Sequence, residues 1–192
     1  GEYRIYSPSY SMPQHIAVQH QIELADGVDP LQLRSYVAFM EQATGVPTTG
    51  YSVTLPPFGE APSQANRSYS PDPAILGLLN VRYLISDFPL DGDGLRQAAQ
   101  FSERYIYRNQ YAYPRAWVEA ADDSTSGQNV KGRGLQEGIV PAERLVWRPN
   151  SIVIKAVGPG TMVLSEIAYP GWEVKVDGQR SSWKTAYQVL RR

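Results

Sequence analysis

Side chains able to do chemistry are sparse in this chain, and their spacing argues against most of the chemistry they carry elsewhere. His15 and His20 are the only imidazoles. Their separation puts them on opposite faces of a strand, or about 140° apart on a helix, so a shared metal ion is not expected. With zero cysteines, thiolate catalysis, disulfides and cysteine-ligated zinc are excluded together. Asp91-x-Asp93-Gly94 opens like a calcium loop. It lacks the third acidic position and the bidentate glutamate that close such a loop, and it reads as an Asp-Gly turn. Asp26-Gly27-Val28-Asp29 reads the same way, with Asp29 serving as a helix cap. Glu166, Glu173 and Asp177 are the carboxylates nearest to a paired arrangement for glycoside hydrolysis. On one strand Glu173 and Asp177 would share a face roughly 13 Å apart, at about 3.3 Å per residue, wider than either hydrolase geometry. No phosphate-binding glycine loop or nucleophile motif is present. The expectation is therefore no catalytic residue, no metal and no cofactor.

The aromatic residues offer a different chemistry. Trp117, Trp147, Trp172 and Trp183, accompanied by 13 tyrosines, supply the flat faces on which sugar rings stack, although core filling is the commoner use of such residues. If a ligand site exists, Tyr113, Arg115, Trp117 and Trp172 are its candidates, because aromatic faces and a guanidinium there can meet a sugar or a phosphate. Tyr169-Pro170-Gly171-Trp172 also reads as a strand corner, with proline setting φ and glycine permitting an unusual conformation. Asn66-Arg67-Ser68 is a glycosylation sequon, of use only in a host that glycosylates.

The elements that must position these residues follow from turn signals and hydrophobic period. Tyr3 to Tyr6 alternates as a short strand before Pro8. Asp29-Pro30 predicts a helix from about Pro30 to Ala43. Residues 45–73 hold six prolines and few aliphatics and read as a long loop. Asp72-Pro73 caps a second short helix, which runs into a strand at Val81 to Ser86. Leu95 to Phe101 is expected to be a third helix and Tyr105 to Asn109 a strand. Between Ala120 and Gly138 the composition is too polar to offset ordering entropy, so 121–138 is expected to be a linker or surface loop. Four strands then follow at short spacing: Arg144 to Trp147, Ser151 to Val157, Thr161 to Ala168 and Trp172 to Val176. Pro149-Asn150, Gly158-Pro159-Gly160 and Pro170-Gly171 mark the turns. Alternation of Ile152, Ile154 and Ala156 against Val153 and Lys155 points to one buried face. The expected fold is α+β, with an α/β lobe over 1–120 and part of an antiparallel β-sandwich over 139–192.

Bulk charge narrows the partners. Eighteen basic and 19 acidic residues leave a net charge of −1, which gives no drive toward nucleic acid or an anionic membrane surface. The apolar runs are far shorter than the roughly 20 residues a membrane helix needs. Glu2, Arg4 and several tyrosines stand where the apolar core of a leader would lie, so the chain is read either as cytoplasmic or as starting midway through a longer protein. The low charged fraction of 19% and the tyrosine count favour an extracytoplasmic, sugar-rich setting.

Three segments in order carry a resemblance: Leu78 to Ser86, then Tyr107-Arg108-Asn109 with Tyr113-Pro114-Arg115-Ala116-Trp117-Val118, then Tyr169 to Gly178. Over residues 70–190 the chain resembles the YfhO-type bacterial membrane protein family. Arg4-Ile5, Gly27 to Leu31 and Tyr36 are similar to that family's entry into the region. The resemblance implies a large multi-spanning protein related to C-type glycosyltransferases that use lipid-linked sugars, with this region on the extracytoplasmic face of the membrane. The family's catalytic carboxylates lie in an early loop between membrane helices that this sequence does not contain, so none is carried over. What it implies is a non-catalytic, itself soluble domain that positions a lipid-linked sugar or glycan acceptor, its partner being the transmembrane portion of the same polypeptide. The alternative is a free carbohydrate-binding β-sandwich module. In the family a further hairpin follows the Asp-Gly turn. The sandwich is therefore expected to lack its final strands and to leave an edge bearing Thr185, Tyr187 and Val189.

Overall fold

Asp72 and Pro73 illustrate how local sequence sets the first elements. The Asp72 carboxylate accepts hydrogen bonds from the Ala74 and Ile75 amides at 2.9 and 3.1 Å, and Pro73, which has no amide hydrogen to satisfy, occupies the first turn. In the computed structural model, which describes residues 2–27, 31–48, 66–120, 138–148 and 150–192, this capped helix is one of three among the described residues of an α+β chain. The chain divides into two units, Gly1–Tyr113 and Pro114–Arg192.

The first unit is built on a five-stranded mixed sheet. In chain order its elements are β1 (Arg4–Tyr6), α1 (Gln14–Gln19), β2 (Glu23–Leu24), α2 (Arg34–Thr44), α3 (Pro73–Leu78), β3 (Val81–Ser86), β4 (Leu95–Phe101) and β5 (Arg104–Asn109). The strand order is β2-β1-β3-β5-β4. β1 runs parallel to both neighbours, while β5 is antiparallel to β3 and β4. Every residue of β1 is buried, as a strand covered on both faces requires. Ile5, Tyr6, Phe39, Met40, Leu76, Leu79, Val81, Leu84 and Tyr107 form the core.

Two expectations about this unit change. The helix expected from Pro30 begins at Arg34, with Leu33 extended at ψ 124°. Leu31 is 88% exposed, so burial gives it no reason to join the helix, and the proposed cap at Asp29-Pro30 lies outside the described residues. The segment Leu95–Phe101 is a strand and not a helix. Its residues are good helix formers, but pairing with β5 from Leu95↔Asn109 to Phe101↔Arg104 overrides that preference. The strand expected over Tyr105 to Asn109 is present as β5.

One buried side chain ties these elements together. Asn109 donates from Nδ2 to the carbonyls of Pro73 and Val81 at 2.8 and 2.9 Å, and its Oδ1 accepts from the Tyr111 amide at 2.9 Å. Helix α3, strand β3 and the chain beyond β5 are thus joined by one amide. Gly77 permits the same close approach, because a Cβ there would sit 2.0 Å from the Tyr111 carbonyl oxygen.

All strand pairing in the second unit is antiparallel. β6 (Ala116–Glu119), β7 (Ile139–Pro141), β10 (Thr161–Ile167), β13 (Thr185–Ala186) and β14 (Leu190–Arg191) form a sheet in the order β13-β14-β10-β6-β7. Two hairpins accompany it, β8 (Glu143–Arg148) with β9 (Ser151–Lys155), and β11 (Val174–Val176) with β12 (Gln179–Ser181). The arrangement is sandwich-like, as expected from the turn rhythm. β6 belongs to this unit, so the first unit closes at Tyr113 and not near residue 120. In β9, Ile152 and Ile154 are half-buried and Val153 and Lys155 exposed, the alternation read from sequence, but the strand ends at Lys155 and Ala156, expected on the buried face, is exposed. Asp177-Gly178 makes the two-residue turn of β11–β12 with φ values of 51° and 81°, the left-handed pair such hairpins need.

The exposed edge expected at Thr185, Tyr187 and Val189 is present in part. β13, with exposed Thr185, is the outer strand of the sheet, whereas Tyr187 is half-buried and Val189 is 1% exposed. Residues 49–65 of the proline-rich loop and 121–137 of the expected linker lie outside the described residues.

Candidate functional site

Strand β10 and its neighbours leave a groove of about 920 Å³ inside the second unit. Its apolar wall comes from Ile152 and Ile154 on β9 and from Met162 and Leu164 on β10. Facing residues come from the 169–176 segment and from the chain around Trp183 and Arg191. The tight Pro170-Gly171 corner, with Gly171 at φ 94°, brings Trp172 to the rim. Trp172 and Trp183 are each half-buried, and the Trp183 indole N–H donates to the Trp172 carbonyl at 2.8 Å. One hydrogen bond therefore ties the Trp183 ring to the backbone at Trp172.

Arg191 supplies the charge. Its guanidinium lies 4.1 Å from the centre of the Trp172 ring, and its Nε donates to the Ile167 carbonyl at 3.1 Å. Burial pushes its pKa below the ordinary arginine value, while the charge of Glu166 works in the opposite direction. Lys175 and Arg192 also line the groove. Glu173 is the one side-chain carboxylate among the lining residues, and Arg180 stands 3.5 Å from it.

Of the four residues expected to form a site, only Trp172 lines this groove. Trp117 is a core residue. It is 0% exposed, its indole N–H donates to Glu119 at 3.0 Å, and the Tyr187 hydroxyl bonds the same carboxylate oxygen. Arg115 is 8% exposed and held in a structural pair, donating from Nη2 and Nε to Glu166 at 2.6 and 3.1 Å. The same guanidinium lies 4.8 Å from the Trp147 ring centre. Tyr113 ends the first unit, where its carbonyl accepts from Asn80 Nδ2 at 2.7 Å. Sequence reasoning missed Trp183, Lys175 and Arg191 as companions of Trp172. The adjacent cations near the C-terminal end were the available signal, and only the pairing of β14 with β10 gives it a location.

Compared with family models, with curated proteins and with solved structures, the chain matches none.

The first unit carries a second polar cluster, at the C-terminal ends of its parallel strands, where α/β sheets commonly bind ligands. Here the hydroxyls are occupied in holding the loop after β1. Ser9 and Ser11 share a hydrogen bond at 2.6 Å, Ser9 accepts from the Asp87 amide at 2.9 Å, and Ser11 donates to the Ile85 carbonyl at 3.3 Å. Asp26, just beyond β2, is buried beside Ser7. Its Oδ2 accepts from the Ser7 amide at 3.4 Å, and its Oδ1 has no partner among the described residues. Desolvation pushes the carboxyl up to about 7.

The remaining candidates resolve into structural roles. His15 and His20 are exposed, on and at the end of α1. Among the described residues no group of three or more histidine or acidic side chains gathers as a metal site. Asp93 accepts from the Tyr111 hydroxyl at 2.5 Å. The sequon residue Asn66 is buried and its Nδ2 donates to the Pro8 carbonyl at 2.9 Å, so this amide is not open to glycosylation. No helix among the described residues is long and apolar enough to cross a membrane.

Proposed function

We propose that the second unit is a non-catalytic glycan-binding domain, and that the chain forms an extracytoplasmic part of a multi-spanning, glycosyltransferase-like membrane protein. The observation that carries the binding reading is the groove itself, with Trp172 and Trp183 half-exposed on one side of an apolar wall. Half-exposed indoles present flat apolar faces to a sugar ring while their edges remain hydrogen-bonded. Glycoside hydrolysis would need two carboxyl groups about one bond, and the groove's lining offers Glu173 alone. The membrane-protein context is supported by the ordered resemblance of residues 70–190 to the YfhO-type family. In that context the domain would hold a lipid-linked sugar or a glycan acceptor near chemistry performed by the transmembrane part of the same polypeptide.

Isothermal titration with a panel of oligosaccharides tests the binding reading. Heat of binding is expected for the intact protein and its loss for Trp183→Ala, whose ring is outside the buried core. Absence of heat at millimolar sugar across the panel would refute it. The same groove would serve a free sugar-binding module, and the two contexts separate by fractionating source cells with an antibody to this chain. A large band in the membrane fraction supports the first; a soluble band near 21.4 kDa supports the second.

A further inference from the structure

We propose that the groove of the second unit takes an anionic glycan, one bearing a carboxylate or a phosphate, with the guanidinium of Arg191 as the anion-binding group and Lys175 as its support. This rests on the reading of the groove as a glycan site. Three of the residues lining it are cationic, Lys175, Arg191 and Arg192, in a chain whose net charge is −1, so the positive charge is local and not a property of the whole surface.

Arg191 is prepared for an anion by its surroundings. Its planar group lies along Trp172, which fixes the plane of the fork and removes much of the entropy that a free side chain would lose on binding. Only Nε is committed, to the Ile167 carbonyl. The two terminal nitrogens have no acceptor among the described residues, and no carboxylate there comes within ion-pair distance of this guanidinium. A largely buried guanidinium whose terminal nitrogens make no hydrogen bond among the described residues gains more from an anion than from a hydroxyl, even with the charge of Glu166 acting on it from beyond ion-pair distance. Arg115 makes the contrast within the same unit, since Glu166 already neutralises it at 2.6 Å. Glu173, the groove's acidic side chain, has Arg180 beside it, which limits its repulsion of an incoming anion.

A stacked sugar on Trp172 or Trp183 would set its acidic substituent within reach of this fork, since all three residues line one groove. The aromatic rings then supply affinity for the ring face, and the guanidinium supplies selection for acidic over neutral sugars.

The test uses the whole chain and titrates trigalacturonate, glucose 1-phosphate and neutral galactotriose at low and at physiological salt. An acidic probe is expected to bind about ten- to a hundredfold more tightly than galactotriose, the scale of one charge-assisted bidentate pair, with the advantage shrinking as salt rises. Binding of one acidic probe and not the other identifies carboxylate or phosphate as the recognised group and supports the proposal either way. Arg191→Gln should abolish the preference. Because Arg191 also packs against Trp172, Lys175→Gln, on an exposed position of β11, gives a second reading and should reduce the preference several-fold with the fold intact. Equal binding of acidic and neutral probes, or a preference unchanged in both variants, would overturn the inference while leaving the glycan site standing. Failure of all three probes to bind would remove the inference and, with a negative panel, the glycan site as well.

Discussion

Asp26 allows a direct test of how burial controls stability in the first unit. An aspartate in water titrates near 3.8, and enclosure beside Tyr6 and Ser7, with one oxygen unpartnered among the described residues, pushes this one up to about 7. Below the unfolded value both states are protonated and the residue costs nothing. Between about pH 4 and pH 7 the unfolded chain gives up its proton while the folded chain keeps it, so each rise in pH favours unfolding. Above about pH 7 both are ionised and the full penalty remains. The difference in proton affinity corresponds to about 4 kcal/mol, at about 1.4 kcal/mol for each tenfold change. Tyr6, facing the carboxylate, has its own pKa raised by burial and by the Asp26 charge, so it stays neutral throughout this range. Asp26→Asn keeps the size and removes the charge. Urea unfolding followed by far-ultraviolet circular dichroism at pH 5 and pH 8 should show the wild type losing stability with rising pH relative to the variant. All four tryptophans belong to the second unit, so indole fluorescence reports that unit and serves as the internal comparison. A wild-type-minus-variant difference that is flat, or that grows in favour of the wild type, between pH 5 and pH 8 would refute the assignment of a desolvated carboxyl at this position.

Other expectations come from buried polar groups and from the groove. Asn109→Leu leaves the Pro73 and Val81 carbonyls and the Tyr111 amide without their partner and should cost about 3 kcal/mol in chemical unfolding; a loss below about 1 kcal/mol would mean that water replaces the amide. Glu166→Gln strips the counter-charge from Arg115, which is 8% exposed, and should destabilise the second unit by about 2 to 3 kcal/mol, read by indole fluorescence. Trp183→Ala should remove sugar-binding heat while changing unfolding much less than Trp117→Ala, whose ring is 0% exposed and whose loss should cost about 3 to 5 kcal/mol.

Strong local signals carried much of the fold, and non-local pairing decided what they did not. Asp72-Pro73 was legible because cap and first turn are adjacent in sequence, and Asp177-Gly178 because a two-residue hairpin turn needs left-handed backbone at both positions. The alternation of Ile152 and Ile154 against Val153 and Lys155 was legible because a half-buried strand has a period of two. The composition of Leu95–Phe101 favours a helix, whereas the partner that makes it a strand lies across the Ser102 turn in β5. Asp29-Pro30 resembles a helix start signal, yet the first buried residue of α2 is Phe39.

The site shows the same division in a sharper form. Residue type alone cannot separate Trp117, sealed beneath Tyr187 and bonded to Glu119, from Trp172, half-buried and lining a groove. The two arginines differ only in what lies opposite them. Arg115 meets Glu166 through the pairing of β6 with β10, and Arg191 meets an indole face and one carbonyl through the pairing of β14 with that same strand. A shared neighbour thus gives Arg115 a direct ion pair with Glu166, whereas Arg191 senses that carboxylate only from beyond ion-pair distance. Register is a property of the folded sheet and not of either segment, so the different surroundings of the two guanidiniums are set only by β10 lying between β14 and β6.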